Sequence, residues 1–144
     1  MSFLIDTNVI SELRKGERAD RRVAEWFAGL DEEDIFLSVL TVGEIRTGVE
    51  RIRRRDARAA VSLERWLSEL VDSHTERILA VDLPIVEAWG RLNVPDRLPV
   101  VDGLLAATAM VHGLVLATRN VRDLRRTGVR LVNPFESSGH RSSA

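Results

Sequence analysis

The chain has 144 residues, a length that fits one domain able to bury roughly two thirds of the surface its unfolded form exposes. It has no cysteine, which excludes a disulfide framework, a thiolate metal site and thiol chemistry, and a reducing compartment is the expected setting. The formal net charge is -1, and every basic residue except Lys15 is an arginine; a guanidinium grips phosphate through two donors where an ammonium acts as a point charge.

The opening "MSFLIDTN" has no basic region leading into a long apolar stretch, and no later run approaches the roughly 18 apolar residues of a membrane span. A cytoplasmic protein with no membrane contact is expected. Phe3 to Ile5 reads as a short buried strand, and "TNVISELRKG" reads as a helix that Gly16 ends. A second helix is expected around "RRVAEWFAGL". "DIFLSVL" is another buried strand, after which "TVGEIRTGVERI" places Val42, Ile45, Val49 and Ile52 at helical spacing, with Thr41 as the cap. From Ala57 to Leu70 the residues Val61, Leu63, Trp66, Leu67 and Leu70 repeat with helical period. "RILAVD" is a third strand. Pro84 suits a helix start, "IVEAWGRLN" continues it, and "RLPV" interrupts the chain before the apolar helix "VDGLLAATAMVHG". "LVLAT" and "VRLVNP" complete the strands. The closing "ESSGHRSSA" is small and polar, so residues 136–144 are expected as a disordered tail after a domain spanning 1–135. Strands alternating with helices predict the α/β class, a mostly parallel sheet covered on both faces, because parallel strands need helical crossovers.

Acids stand where these strands end. Asp6 directly follows an apolar strand, Glu44 lies one turn into the helix after "FLSVL", and Asp102 opens an apolar helix. "LATRNVRDL" adds Thr118, Asn120 and Asp123 at a fourth strand-to-helix junction. In open α/β sheets ligands bind outside the carboxyl ends of the strands. Hard divalent cations take oxygen ligands and keep several waters, so a few carboxylates at one sheet edge suit them. The rival account of each acid is that it caps a helix and complements its dipole. That account is weakest for Asp6, because Thr7 or Asn8 could cap the helix instead.

"FLIDTNVISEL", "TVGEIRTG", "PVVDGLLAATAMVHGLVLATRNVRDL" and "GVRLVNPF", in that order from Phe3 to Phe135, resemble the PIN-domain ribonucleases, specifically the VapC-like toxins of bacterial toxin–antitoxin modules and their FitB-like relatives. The resemblance implies a three-layer α/β/α fold in which Asp6, Glu44 and Asp102 match the acidic metal-binding residues, Asp6 and Asp102 being the nearest ligands. Thr118 and Asn120 match a polar strand-end motif that often carries a fourth acid. Here the place is held by Asn120, with Asp123 three residues on, and either could complete the catalytic set. Asn8 would support Asp6 by hydrogen bonding, or simply cap the helix. The implied activity is Mg2+-dependent hydrolysis of RNA phosphodiester bonds, with Mn2+ as the alternative ion and tRNA, rRNA or mRNA as substrate. The implied partners are a cognate antitoxin and a second copy of the chain, with Leu13, Val23, Trp26 and Phe27 expected to offer the apolar surface an antitoxin would cover. The alternative is a non-catalytic nucleic-acid or protein-binding module of a toxin–antitoxin-like complex.

Positive charge concentrates in "RIRRRDAR" at 51–58 and in Arg119, Arg122, Arg125, Arg126 and Arg130. RNA contact is assigned to Arg119 and Arg122, which adjoin the acids; a solvated helix face is the rival reading. His74, His112 and His140 have no metal-ligand partner at helical spacing, and none is given a catalytic role. Trp26, Trp66 and Trp89 sit on apolar helix faces and read as packing. An aspartyl phosphatase of the haloacid-dehalogenase kind would need an acid where Asn8 stands and a lysine late in the chain, and a phospho-receiver domain fails for the same missing lysine.

Overall fold

The computed structural model describes residues 1–136 and the backbone of Arg141–Ser142. In chain order its elements are β1 (Phe3–Ile5), α1 (Thr7–Leu13), α2 (Arg21–Ala28), β2 (Ile35–Ser38), α3 (Val39–Arg53), α4 (Ala57–Ser73), β3 (Ile78–Leu79), α5 (Leu83–Leu92), α6 (Val100–His112), β4 (Val115–Ala117), α7 (Val121–Leu124), β5 (Leu131–Val132) and β6 (Arg141–Ser142). The strands lie in the order β3-β2-β1-β4-β5-β6. Strands β1 to β5 run parallel, and β6 pairs antiparallel with β5.

Side chains on a strand alternate between faces, and here both faces are covered. Phe3, Ile5, Ile35, Leu37, Val115 and Ala117 point into one core, which α1 to α4 close with Val9, Ile10, Val23, Ile45, Val49, Leu63 and Leu67. Leu4, Leu116 and Leu131 point into the other, closed by Leu105, Ala106 and Ala109 of α6 and Leu124 of α7. Helix α5 packs chiefly on α6. This is the expected three-layer α/β/α fold. Double-sided burial also explains why the strands read as unbroken apolar runs rather than alternating ones.

The chain leaves β1 for β2 and then β3 on one side, and later fills β4 and β5 on the other. The order therefore reverses between β1 and β4, and such a switch point opens a crevice at the carboxyl ends of the strands. Ile5 pairs with Ala117, which sets Asp6 and Thr118 side by side as the two strands end.

Several expectations need correction. Thr41 does not cap α3: Ser38 does, its hydroxyl accepting the Leu40 N–H at 3.0 Å. The helix thus begins at Val39, inside the run read as strand, because a capping hydroxyl outweighs the β-propensity of one valine. Thr41 is instead fully buried, and among the described residues its hydroxyl has no hydrogen-bond partner. Of Leu13, Val23, Trp26 and Phe27, expected to offer an apolar surface, only Val23 is fully withdrawn, the other three being partly buried. Val23 is in the core and the other three pack against it, Trp26 meeting Phe3 edge-on at 5.2 Å between ring centroids. Gly16 follows α1 at φ 62 but the helix ends earlier, at Leu13. The expected disordered tail at 136–144 falls largely outside the described residues. Among the described residues no helix is long and apolar enough to cross a membrane.

Candidate metal centre

Asp6 is the N-cap of α1, so the cap falls to the acid and not to Thr7 or Asn8, which lie within the helix. Capping uses only one of its oxygens: Oδ1 accepts the Thr7 N–H at 2.6 Å. Oδ2 accepts the Thr118 hydroxyl at 2.7 Å and the Asn8 side-chain amide at 3.3 Å. The Asp6 main chain is fixed as well, its N–H donating to the Ala117 carbonyl at 2.9 Å. Asp6 is only 4% exposed, and burial pushes its carboxyl up from 3.8 to about 6 against the pull of the Thr118 hydrogen bond, with the charges of Asp102 and Glu44 adding to the rise. An ordinary cap has no need of a buried second oxygen and two further donors.

Asp102 sits in the first turn of α6, and its carboxyl is also raised, first by desolvation and then by the charges of Glu44 and Asp123. Asn120 Nδ2 donates to its Oδ2 at 3.5 Å. Glu44, in the second turn of α3, is exposed and accepts the Thr7 hydroxyl at 2.5 Å. Thr118 is fully buried and ties the cluster together, giving its proton to Asp6 and accepting the Asn120 N–H at 3.0 Å. Asn8 also donates to Thr118 at 3.5 Å and accepts the Arg119 N–H at 3.3 Å. The fold thus brings Asp6, Asn8, Glu44, Asp102, Thr118 and Asn120 to one edge of the sheet. Asp123 is exposed on α7 and reaches the others only through its charge on Asp102.

Arg119 is exposed and its guanidinium lies 3.6 Å over the centre of the Phe135 ring. Arg122 is exposed on α7 and makes no ion pair among the described residues. Arg126 and Arg130 have other work. Arg126 donates to the Leu92 carbonyl at 3.2 Å and to the Asp96 carbonyl, and Arg130 donates to the Gly113 carbonyl at 3.0 Å. Both hold main-chain oxygens where α5 and α6 end. In the other basic cluster Arg53 is engaged with Glu50 and Glu64. Sequence reasoning missed Thr7 as a partner of Glu44 and Phe135 as the platform for Arg119, since both contacts are long-range. A surface hollow of about 490 Å³ lies between α3 and α4, lined by Val39, Val42, Arg46, Leu67 and Val71 among others, and none of the site acids lines it.

The donor set suits a hard cation. All the acids offer oxygen, and the two most buried hold their protons more tightly than usual, first because burial desolvates them and then because neighbouring acids add negative charge; a divalent ion would compensate that charge. Among the described residues no three Asp, Glu, His or Cys side chains are gathered into a finished cage. Mg2+ needs no such cage, since it binds through one or two carboxylates and retains its waters.

A parallel sheet with carboxylates at its switch point places the chain among open α/β proteins, whose ligand sites lie at the carboxyl ends of the strands. A family model described as PIN domain matches residues 3–129. The VapC ribonuclease Y4jK of Sinorhizobium fredii is 33% identical over 93% of this chain and 98% of its own length. Toxin FitB of Neisseria gonorrhoeae is 32% identical over 92% and 98%. A solved structure of FitAB bound to an IR36 DNA fragment superposes with a TM-score of 0.87 at 29% identity, covering 96% of this chain and 99% of that one. The chain belongs to the PIN-domain family.

Proposed function

We propose that the protein is a metal-dependent endoribonuclease, the toxin of a toxin–antitoxin module, working in the cytoplasm. The observation that carries the reading is the pair of buried Asp6 and half-buried Asp102, both with raised carboxyls, at the β1–β4 switch point of a PIN domain. Asp6 and Asp102 would hold Mg2+, with Mn2+ as a substitute and Glu44 at the rim. The chemistry supplied by the bound ion is Lewis acidity, which acidifies water near neutral pH and offsets negative charge developing on the phosphate. Thr118 and Asn8 hold Asp6 in place, and Asn120 holds Asp102. Asp123 adds negative charge at the rim and is the secondary candidate for a fourth acid. Arg119, stacked on Phe135, and Arg122 contact RNA phosphates beside the acids.

The similarity to a named ribonuclease and to Toxin FitB over nearly the whole chain supports hydrolysis of RNA and a cognate antitoxin as partner. A homodimer is proposed on the resemblance, Val23 being drawn into the core and Leu13, Trp26 and Phe27 being partly buried against it. The test is incubation of the purified protein with labelled tRNA, rRNA and mRNA fragments, with Mg2+ or with excess EDTA. Cleavage that needs the metal and vanishes in Asp102→Asn is expected. Binding without cleavage under every condition would instead make the chain a non-catalytic binding module.

A further inference from the structure

The turn that presents Asp102 has little of its own to fix it. The residue before α6 is Pro99, which supplies no side-chain cap. Its main-chain anchor is the Gly103 N–H donating to the Pro99 carbonyl at 2.9 Å, and the Asn120 bond to the Asp102 carboxylate is long, at 3.5 Å. The next residue is nevertheless a glycine, buried within a helix, where glycine is less favourable than alanine. Space explains it. A Cβ on Gly103 would stand 3.1 Å from Trp89 Cδ1, 3.2 Å from Trp89 Nε1 and 3.4 Å from Leu98 Cβ. The helical glycines Gly43, Gly48 and Gly90 face no such neighbour.

The indole edge of α5 therefore occupies the room that a side chain at 103 would take, one residue from the candidate ligand. Among the described residues Trp89 Nε1 is buried without a hydrogen-bond partner, so no polar bond from them holds the indole there. The contact is one of shape, and a close-packed contact transmits small displacements.

We infer that Trp89 is a positioning residue, its indole edge seated on Gly103 setting where the first turn of α6 presents Asp102 to the cation. The inference rests on the metal-site reading above. It differs from plain helix packing in what it couples: the size of the side chain at 103, the size at 89, and the affinity for the ion. Filling position 103 pushes the turn away from α5, and emptying position 89 releases it. Doing both restores the fit.

The test is titration of the full-length chain with Mn2+ alone, followed by electron paramagnetic resonance, alongside circular dichroism and thermal melts. Gly103→Ala, Gly103→Val and Trp89→Leu should each keep the fold and weaken Mn2+ binding. The loss should grow from Ala to Val and reach roughly 10- to 100-fold, the range seen when groups that orient metal ligands are altered. The double variant Gly103→Val with Trp89→Leu should bind more tightly than either large-effect single variant. Folded single variants that bind Mn2+ like the wild type would overturn the inference, as would a folded double variant no better than Gly103→Val. If Gly103→Val does not fold, Gly103→Ala and Trp89→Leu decide the matter by the same measure. A wild type that binds no Mn2+ would remove the metal reading itself, and the positioning role with it.

Discussion

The Thr118 hydroxyl donates to Asp6 Oδ2 at 2.7 Å, and both residues are buried. It is the strongest of the contacts that hold the Asp6 carboxyl down against burial, and the Thr118 hydroxyl oxygen in turn receives the Asn120 N–H. Thr118→Val keeps the shape and removes these bonds together with the long one from Asn8. Asp6 should then titrate above its present value of about 6, and stability should fall by roughly 1–3 kcal/mol because polar groups are left unpaired. Carbon-detected NMR titration of the Asp6 carboxyl and a thermal melt check the two effects. An unmoved titration would mean that Thr118 only fills space.

The pair Asp6 and Asp102 is tested by neutral amides. Asp6→Asn and Asp102→Asn should each abolish RNA cleavage and keep the fold: at position 6 Asn can still cap α1, although its amide nitrogen cannot accept the Thr118 and Asn8 donors, and at position 102 the change removes charge that burial and neighbouring acids oppose. Without metal, Asp102→Asn should melt no lower than the wild type, whereas Asp6→Asn relieves a desolvated charge but leaves the Thr118 and Asn8 donors without their acceptor and should stay within about 1–3 kcal/mol of it. In Mg2+ at about 100 times Kd, the wild type should gain ~2.7 kcal/mol and the variants nothing. Persistent cleavage in either variant would remove that acid from the catalytic set.

The raised carboxyl of Asp6 makes a prediction about pH in the presence of chelator. The native state holds this proton up to about 6, and the unfolded chain releases it near 3.8. Between those values the native state binds more protons, so stability falls as pH rises. The contribution is complete below 3.8, is lost through about 6, and amounts to roughly 3 kcal/mol. Subtracting the pH profile of Asp6→Asn from that of the wild type isolates it among the other titrating groups. A flat difference between pH 4 and 6 would show that Asp6 is not desolvated as described.

Much of this architecture was legible because short apolar runs flanked by helical periodicity have few other readings. "FLI", "IFLS" and "VLA" could hardly be anything but strands buried on both faces. Asp6 was legible because a carboxylate seldom ends such a run. Periodicity shows that a helix has an apolar face but not what the face meets, so Trp26 and Phe27 could be read both as packing and as contact surface, and they lie partly buried against the core. Contacts between distant residues left no local mark: Thr7 with Glu44, Arg126 with the carbonyls of Leu92 and Asp96, and Trp89 with Gly103. The cap of α3 was misplaced because Ser38 and Thr41 are equally good capping residues, and the choice between them depends on where β2 stops pairing with β3, at Ser38 and Leu79.

That misplacement is itself testable. Ser38→Ala should cost about 1 kcal/mol, as for the loss of a helix cap. Thr41→Val should be neutral or stabilising, because the Thr41 hydroxyl is buried without a partner among the described residues and an apolar group of the same shape removes that penalty. The reverse order of melting temperatures would return the cap to Thr41.

Two arginines close in sequence should respond oppositely, which separates RNA contact from folding. Arg119 is exposed beside the acids and is oriented by the Phe135 ring at 3.6 Å, so its guanidinium edge is presented to a ligand at reduced entropic cost. Arg126 spends its donors on the carbonyls of Leu92 and Asp96. In the cleavage-dead Asp102→Asn background, Arg119→Ala should weaken binding to single-stranded RNA and lower the salt slope by roughly 0.7, the share of one phosphate contact, while the melting temperature barely moves. Arg126→Ala should do the reverse, lowering stability by about 1 kcal/mol through lost hydrogen bonds and leaving the slope intact. Arg122→Ala, with no partner to lose, should follow Arg119. An unchanged slope in both Arg119→Ala and Arg122→Ala would show that these two form a solvated face, and the RNA path would then have to be sought among Arg51, Arg54, Arg55 and Arg58, which are exposed and make no ion pairs among the described residues.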